Sequence, residues 1–499
     1  MKKCDVVIIG GGLGGLIAGS LLSKKGKKVI LIEQHKVVGG CASSFKRLNC
    51  TIEVSLHALD GLDSKDVKID IFNELDIFKN VKFIKLPELY TVYRDSNFFL
   101  FPCSKQNAIK ELIKRFPDEE FGIIEYFSTL AKVRNEIYSI SMYGINKYYS
   151  EKVQQEDVFL LKKYSRLTIG EYLDSIIKDE WLKLILLANI SYYHDDPYSL
   201  SFIYYCIAQE SYYNGCWYIG GSSQTLSDYL AKIITDNGGE IIKNNLVTDI
   251  LMKDCVAIGV QCKSLKKKSE KQVIKAKFVV ANTSFNNVKN MLPLPFQQLF
   301  MKNVLSFKNS CSCTSVHLIF KNKLPINIID KHYNIIIYPK QVNALKDLSW
   351  SKDIKNKIIN FVYYSQVDSS LSYIEKGIAT ISIVDYISNW NNLPLTEYRN
   401  KKKNIAQYLI NCVNEVVPIK DFIESYEVST PRTIERFTLN PSGAIYGYAQ
   451  TPEQSLSFRP NNSTVISGLY MASAWTSPGG GFSGAIVSGY MCFKEILKK

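Results

Sequence analysis

Gly10, Gly12 and Gly15 stand in a G-x-G-x-x-G spacing, directly after an apolar run and at the start of a helical pattern. The chemistry this spacing supports is the binding of a diphosphate. The first glycine permits a tight turn, the second lets the backbone approach a pyrophosphate, and the third lets a helix pack on a strand. Leu13 and Gly14 complete the turn, where free amides and the positive helix end favour anions. Glu33 ends the next apolar run, where a carboxylate accepts hydrogen bonds from an adenosine ribose. Together these residues point to a dinucleotide.

Such residues need a frame. Cys4 to Ile9 reads as a buried parallel strand, followed by a helix from near Gly14 to Lys25-Gly26 and a second strand from Lys28 to Glu33. Strand, glycine turn, helix and strand form one βαβ unit. Met1-Lys2-Lys3 before an apolar run imitates a secretion signal, but Asp5 and the glycines interrupt it, and the βαβ pattern continues past it.

After Glu33 and Gln34, a second glycine pair, Gly39-Gly40, precedes Cys41 and Ala42. A nicotinamide site has no need of it. On these residues the chain resembles the phytoene (carotenoid) desaturases, with the prolycopene isomerases and retinol saturases, in separated blocks covering most of its length. The resemblance implies FAD as cofactor, with Gln34 and the Gly39–Ala42 loop brought against it.

The second block runs from Gly215 to Leu251. Ser222 or Ser223 should cap a helix from Gln224 to Thr235 that ends at Asn237-Gly238-Gly239, with strands near Glu240–Ile242 and Leu246–Met252 following. The resemblance places the backbone of Val247 beside the adenine. The family's proline before the glycines is Ile219 here. Cys255 to Cys262 and Gln272 to Ala281 alternate like two further strands, joined by a basic loop, 263–271, that reads as a solvated hairpin tip.

The third block, Gly468 to Lys499, offers a short strand from Leu469 to Ala474, the glycine loop Thr476–Gly481, and a helix from Phe482 to Leu497. The resemblance implies that this segment meets the ribityl chain, the pyrophosphate and the flavin ring, with Ala474, Gly481, Phe482 and Ser483 as contacts. Many flavoproteins carry an acid near Ser473-Ala474, so a backbone or serine contact must substitute. Ser191 to Pro197 resembles a short family turn, and Ser429 to Tyr448 resembles its Thr-Pro to Tyr-Gly run. There Pro431 and Pro441 fix turns, Gly443 and Gly447 allow close approach to the flavin, and Glu435-Arg436 reads as a structural ion pair.

The implied fold class is α/β: a Rossmann-type, glutathione-reductase-like FAD-binding domain with an α+β substrate domain. Three distant blocks surrounding one cofactor make the FAD domain discontinuous, over 1–85, 205–290 and 425–499. The substrate domain takes 86–204 and 291–424, with helical stretches such as Glu120 to Tyr138 and Gly170 to Ile190. Its density of Tyr, Phe and Ile suits an elongated apolar substrate, although aromatics also simply fill cores.

The resulting expectation is an FAD-dependent oxidoreductase acting on carbon–carbon bonds of a polyene, isoprenoid or acyl-type substrate. A cis/trans isomerase on the same scaffold is the alternative. A flavin-free binding protein is disfavoured because Gly10, Gly12, Gly15 and Glu33 are intact. Desaturation loses a proton and saturation gains one, so an acid or base helps. His57 is the candidate, against the simpler reading of a structural histidine; Tyr446 and Trp475 are candidates for lining the flavin face. Cys41 either packs or forms a covalent flavin link.

Composition narrows the setting. Of 499 residues, 46% are hydrophobic and 22% charged, which excludes disordered and fibrous classes. The net charge of +14 suits an anionic membrane or an acidic carrier protein. Nucleic acid ranks last, because no zinc knuckle or RNA-stacking motif appears. The 12 cysteines form no CxxC pair and only 5 histidines are present, so a reducing, cytoplasmic compartment without structural metal is expected. No apolar run reaches the ~18–20 residues that span a bilayer, leaving a soluble chain or one peripheral to the membrane. Oligomeric state stays open.

Overall fold

A computed structural model describes residues 2–142, 158–266, 271–330, 332–348, 353–372 and 375–499. Part of the basic loop 263–271 lies outside the described residues.

The first strand, Lys2–Ile9, is the centre of a seven-stranded sheet. Its second half is apolar without alternation, as a strand covered on both faces requires. Val29–Ile32 lies parallel on one side, with Glu240–Ile242 beyond it. Lys271–Ala281 lies parallel on the other side and leads to the antiparallel strands Val256–Ser264 and Asn245–Lys253. Leu469–Met471 joins the end of Lys271–Ala281 in parallel. This is the expected α/β, Rossmann-type sheet, drawn from three distant stretches of chain.

Register matters most for function. Ile9 pairs with Ile32 and with Ala281, and Ala281 pairs with Met471. Four parallel strands therefore end level, placing Gly10, Glu33, Asn282 and Ala472 along one edge. Ligands bind at the carboxyl edge of open parallel sheets.

The helices Leu13–Lys24, Ser223–Asp236 and Phe482–Leu497 cover one face. Close packing explains their glycines: a Cβ on Gly489 would lie 2.9 Å from Ile17 Cβ, and one on Gly19 would lie 2.9 Å from Ile234.

A second sheet also has seven strands, in the order Ile423–Ser429, Ser312–Phe320, Gly377–Asp385, Ile359–Tyr363, Asn334–Ile337, Glu88–Arg94 and Asn97–Pro102. Its pairs are antiparallel except for Asn334–Ile337 against Glu88–Arg94. The strand Ile423–Ser429 straddles the expected boundary at 425 and hydrogen-bonds within this sheet. Alternation splits the side chains of Ser312–Phe320: Val316, Leu318 and Phe320 pack with helix Leu395–Asn414, whereas Ile319 joins the main core. The helices Glu120–Met142 and Phe202–Asn214 pack on each other within that core.

Two local expectations change. The helix expected over 170–190 is broken into Ile169–Ile176 and Glu180–Leu186. Asp179 stops a continuous helix by accepting the Leu182 amide at 2.8 Å, restarting the chain with its own cap. Ser222 holds the N-cap position of Ser223–Asp236 but makes no side-chain cap, with φ at 92°. Glu53 replaces it, accepting the Ser223 amide at 2.8 Å and the Ser223 hydroxyl at 2.7 Å. Burial raises the pKa of Glu53 against these opposing donors.

Candidate active site and cofactor cleft

A continuous cavity of about 1170 Å³ opens along the level strand ends. Its wall contains Gly10, Gly12, Leu13, Gly14, Glu33, Gln34, Gly39, Gly40, Cys41, Ala42, Val247, Ala474, Gly481, Phe482 and Ser483. His57, Tyr446 and Trp475 line it as well. Gly15 does not. It lies one layer behind, where a Cβ would meet the Gly10 carbonyl at 2.6 Å and Ile8 Cγ2 at 3.1 Å. That is the helix-on-strand contact the third glycine of the spacing serves.

The glycine turn is backbone against backbone. Gly10 has φ at 90°, and a Cβ there would meet the Asn282 carbonyl at 2.7 Å. The Gly39 amide donates to the Gly11 carbonyl at 2.6 Å, joining the two glycine segments. Helix Leu13–Lys24 begins at Gly12 without a side-chain cap. Its first-turn amides therefore have no acceptor within the helix, and they face the cleft's glycine edge.

Glu33 is 6% exposed, and its two oxygens accept the Gly11 and His35 amides, each at 2.8 Å. A carboxylate has about four acceptor sites, so capacity remains for ligand hydroxyls. The Asn245 amide donates to the Glu33 carbonyl at 3.0 Å, which carries Leu246 and Val247 to the same end of the cavity.

The carboxy-terminal helix, Phe482–Leu497, likewise starts from an uncapped glycine, Gly481. No atom lies within 4 Å of a Cβ built on it, so this glycine opens into free space. Ser473, at the position of the missing acid, spends its hydroxyl on the protein: it accepts the Trp475 amide at 3.3 Å and donates to the Thr283 carbonyl at 3.4 Å. Ser483 donates its hydroxyl to Asp60, which also lines the cavity.

Three contacts differ from expectation. Gly443 and Gly447 approach protein backbone, not the cavity: a Cβ on either would overlap the Pro431 or the Ala474 carbonyl. Glu435 and Arg436 do not pair. Being adjacent on helix Pro431–Thr438, they leave it in different directions; Glu435 accepts the Ser442 amide at 3.1 Å, and Arg436 sits 5.5 Å from the Phe437 ring.

His57, Tyr192, Tyr204, Tyr212 and Tyr446 also line the cavity, with Ile203 and Ile207. Burial pulls His57 down to about 4, so its imidazole is neutral near pH 7. Its carbonyl accepts the Tyr333 hydroxyl, and its ring lies 5.7 Å from Tyr192. Tyr446 donates to the Ser191 carbonyl at 3.1 Å, and burial holds its phenol well above the ordinary range. Trp475 is 3% exposed and packs edge-on to Tyr448 at 4.9 Å, so only its margin reaches the cavity. Burial pushes the Cys41 thiol up to about 11. All 12 cysteines are free thiols.

The sequence matches the flavin containing amine oxidoreductase family over residues 13–497. The chain belongs to this family. An all-trans-retinol 13,14-reductase of Danio rerio is 25% identical, over 100% of this chain and 86% of its own. A chloroplastic prolycopene isomerase 1 of an Oncidium hybrid cultivar is 25% identical over 99% of this chain and 84% of its own. The neurosporene-forming phytoene desaturase of Rhodobacter capsulatus is 23% identical over 98% and 93%. Among solved structures, putrescine oxidase bound to putrescine shares the fold, with a TM-score of 0.63 at 14% identity over 100% of this chain and 99% of its own.

As a flavin containing amine oxidoreductase family member, the chain is an FAD-dependent oxidoreductase, and the cleft suits its cofactor. Two uncapped helix starts, a glycine turn with no room for a Cβ, and a carboxylate with spare acceptor sites are the donor set that an adenine dinucleotide requires.

Several residues of this cleft escaped the sequence reading. Asn282 Oδ1 accepts the Gly12 amide at 2.8 Å, and its Nδ2 donates to the Ala472 carbonyl. A polar residue directly after the apolar run Phe278–Ala281 was the available signal, since strand ends of this kind face ligands. Lys68 is 3% exposed and pairs with Asp66 at 2.8 Å and Asp60 at 3.3 Å. No local pattern marks that triad.

Proposed function

We propose that this chain moves a hydride between FAD and a carbon–carbon bond of an apolar polyene, isoprenoid or acyl-type substrate. The observation that carries the reading is the continuity of the cavity. One space joins the glycine turn and Glu33 to a chamber walled by tyrosines and isoleucines. The retinol reductase and phytoene desaturase similarities support the same substrate class.

FAD, when bound, supplies hydride acceptance or donation. Glu33 would accept the ribose hydroxyls, the amides of Leu13 and Gly14 would hold the diphosphate, and Gly39 to Ala42 with Gly481 to Ser483 would enclose the remainder. Val247 would bound the adenine end. Tyr446 and the margin of Trp475 would line the ring-facing wall and exclude water. His57 is the acid–base candidate of the chamber wall: neutral at pH 7, it is in the form that accepts a proton, but burial, which draws its pKa down to about 4, makes it a weak base there.

The test is a visible spectrum of the purified protein, with the released cofactor identified by chromatography. Flavin bands and free FAD are expected, followed by a two-hydrogen mass change in an apolar substrate. A colourless protein that takes up no added FAD would refute the reading. Product of unchanged mass would favour the isomerase alternative, which the prolycopene isomerase similarity supports.

Among the described residues no helix is long and apolar enough to cross a membrane. For access to substrate, exposed Leu294, Leu299 and Leu305 beside Lys302, together with the +14 charge, support collection at an anionic membrane surface over delivery by an acidic carrier.

A further inference from the structure

Arg459 is 2% exposed, and among the described residues its hydrogen-bond acceptors are all neutral. One terminal nitrogen donates to Gln450 Oε1 at 3.0 Å. The other donates to the carbonyls of Tyr446, Tyr448 and Ala474, at 3.1, 2.9 and 3.0 Å. Nε, fully buried, has no acceptor. A guanidinium sealed from water without a counter-ion is costly unless something offsets it. Burial pulls Arg459 down to about 10, so it still carries its charge at neutral pH.

The cavity lies one backbone layer away. Tyr446, Ala474 and Gly479 line it, and a Cβ on Gly479 would stand 2.1 Å from Arg459 Nε, too close to fit. The carboxylates of the cavity wall near these residues do not compensate the charge. Asp60 and Asp66 are paired with Lys68, and Glu33, which keeps its charge, ends a strand three places along the sheet from Leu469–Met471, which leads into Ala474. The Ala474–Gly479–Gly480 wall thus presents an unbalanced positive field to whatever occupies the cavity beside it.

We propose that Arg459 is a positioning residue whose unpaired charge acts through this wall to favour the reduced, anionic form of bound FAD over the neutral oxidised form. The inference rests on the reading that the Thr476–Gly481 loop holds the flavin end of the cofactor. Two electrons and one proton convert the neutral ring system to a monoanion. A cation buried behind the wall lowers the free energy of that anion and not of the neutral form. By linkage, the protein binds reduced FAD more tightly than oxidised FAD, and the bound couple is easier to reduce than free FAD.

The experiment uses the full chain loaded with FAD and titrated anaerobically with dithionite beside an indicator dye of known potential. In the wild type, reduced FAD is expected to bind at least tenfold more tightly than oxidised FAD, about 30 mV for a two-electron couple. Arg459→Gln keeps hydrogen-bonding capacity without charge and should lose about tenfold of that preference. Arg459→Lys should keep most of it. If both variants weaken FAD binding and thermal stability alike while the potential stays at the wild-type value, the residue is only a staple and the proposal is overturned. Should neither variant fold, the wild type decides alone: equal affinity for the two forms overturns it. Failure of the wild type to take up oxidised FAD, seen before any reductant is added, would refute the functional reading itself.

Discussion

Asn282 and Gly12 meet through a 2.8 Å hydrogen bond from the Gly12 amide to Asn282 Oδ1, across 270 residues of chain. The same side chain donates to the Ala472 carbonyl, so one amide group ties the glycine turn to the carboxy-terminal segment. A Cβ on Gly12 would stand 2.6 Å from that oxygen, so the close approach and the hydrogen bond are one feature. Replacing Asn282 with Ala leaves a turn amide and a carbonyl without partners, a cost of about 1–3 kcal/mol. Because both groups shape the cleft, the loss should appear as an FAD dissociation constant raised ~10–100-fold. Fluorescence titration with FAD measures it. An unchanged constant would show that the turn is rigid without the asparagine.

Cys41 lines the cavity, yet burial pushes its thiol up to about 11. The thiolate is the nucleophile, so almost none is present at neutral pH. FAD is therefore expected to be held without a covalent bond. Acid precipitation should release all flavin to the supernatant, and Cys41→Ala should load as much cofactor as the wild type. Flavin that stays with the pellet would contradict this.

What the sequence made legible was contiguous. Gly10, Gly12, Gly15, Glu33 and the Gly479–Gly481 loop announce themselves because a turn, a strand end and a helix start each impose a local pattern. The helix Phe482–Leu497 and the strands flanking the first glycines follow from the same periodicities. Asn282, Arg459 and Lys68 were not legible, since each is a single polar residue whose meaning lies in partners brought close only by the fold. Glu53 is the clearest case: it caps a helix that begins 170 residues later, in place of the serine that occupies the cap position. The expected Glu435–Arg436 pair failed for the opposite reason, since neighbours in sequence diverge on a helix.

His57 and His317 are both drawn down to about 4 by burial, while an unfolded chain titrates its histidines near 6.5. Between those values the unfolded state binds more protons, so stability rises with pH there and is lost on acidification. His317 rests against the Thr380 and Ser429 hydroxyls at 3.1 and 3.2 Å, outside the cavity wall, and is the cleaner probe. Urea midpoints should fall from pH 7 down to about 5 in the wild type. The fall should be shallower in His317→Gln, which has no proton to gain. Parallel curves for the two proteins would mean that His317 is not held neutral.

Lys68, Asp60 and Asp66 form a buried triad beneath the last helix. Asp66 also accepts the Lys68 and Leu62 amides, at 2.9 and 2.7 Å, capping helix Val67–Glu74. Burial lowers the Lys68 pKa, but Asp60 and Asp66 outweigh it and leave the amine raised. Burial likewise raises Asp60, and Lys68 with the Ser211 and Ser483 hydroxyls brings it below its usual value. Lys68→Met would strand two carboxylates without a cation, and breaking a buried pair from one side costs about 3–5 kcal/mol. Adding Asp60→Asn removes one of those charges, so the double variant should recover part of the loss in chemical denaturation, a coupling that independent sites would not show. Ser483 opens the helix that borders the cavity and donates to Asp60, so Lys68→Met should also weaken FAD binding, whereas a change confined to stability would separate the triad from the cleft.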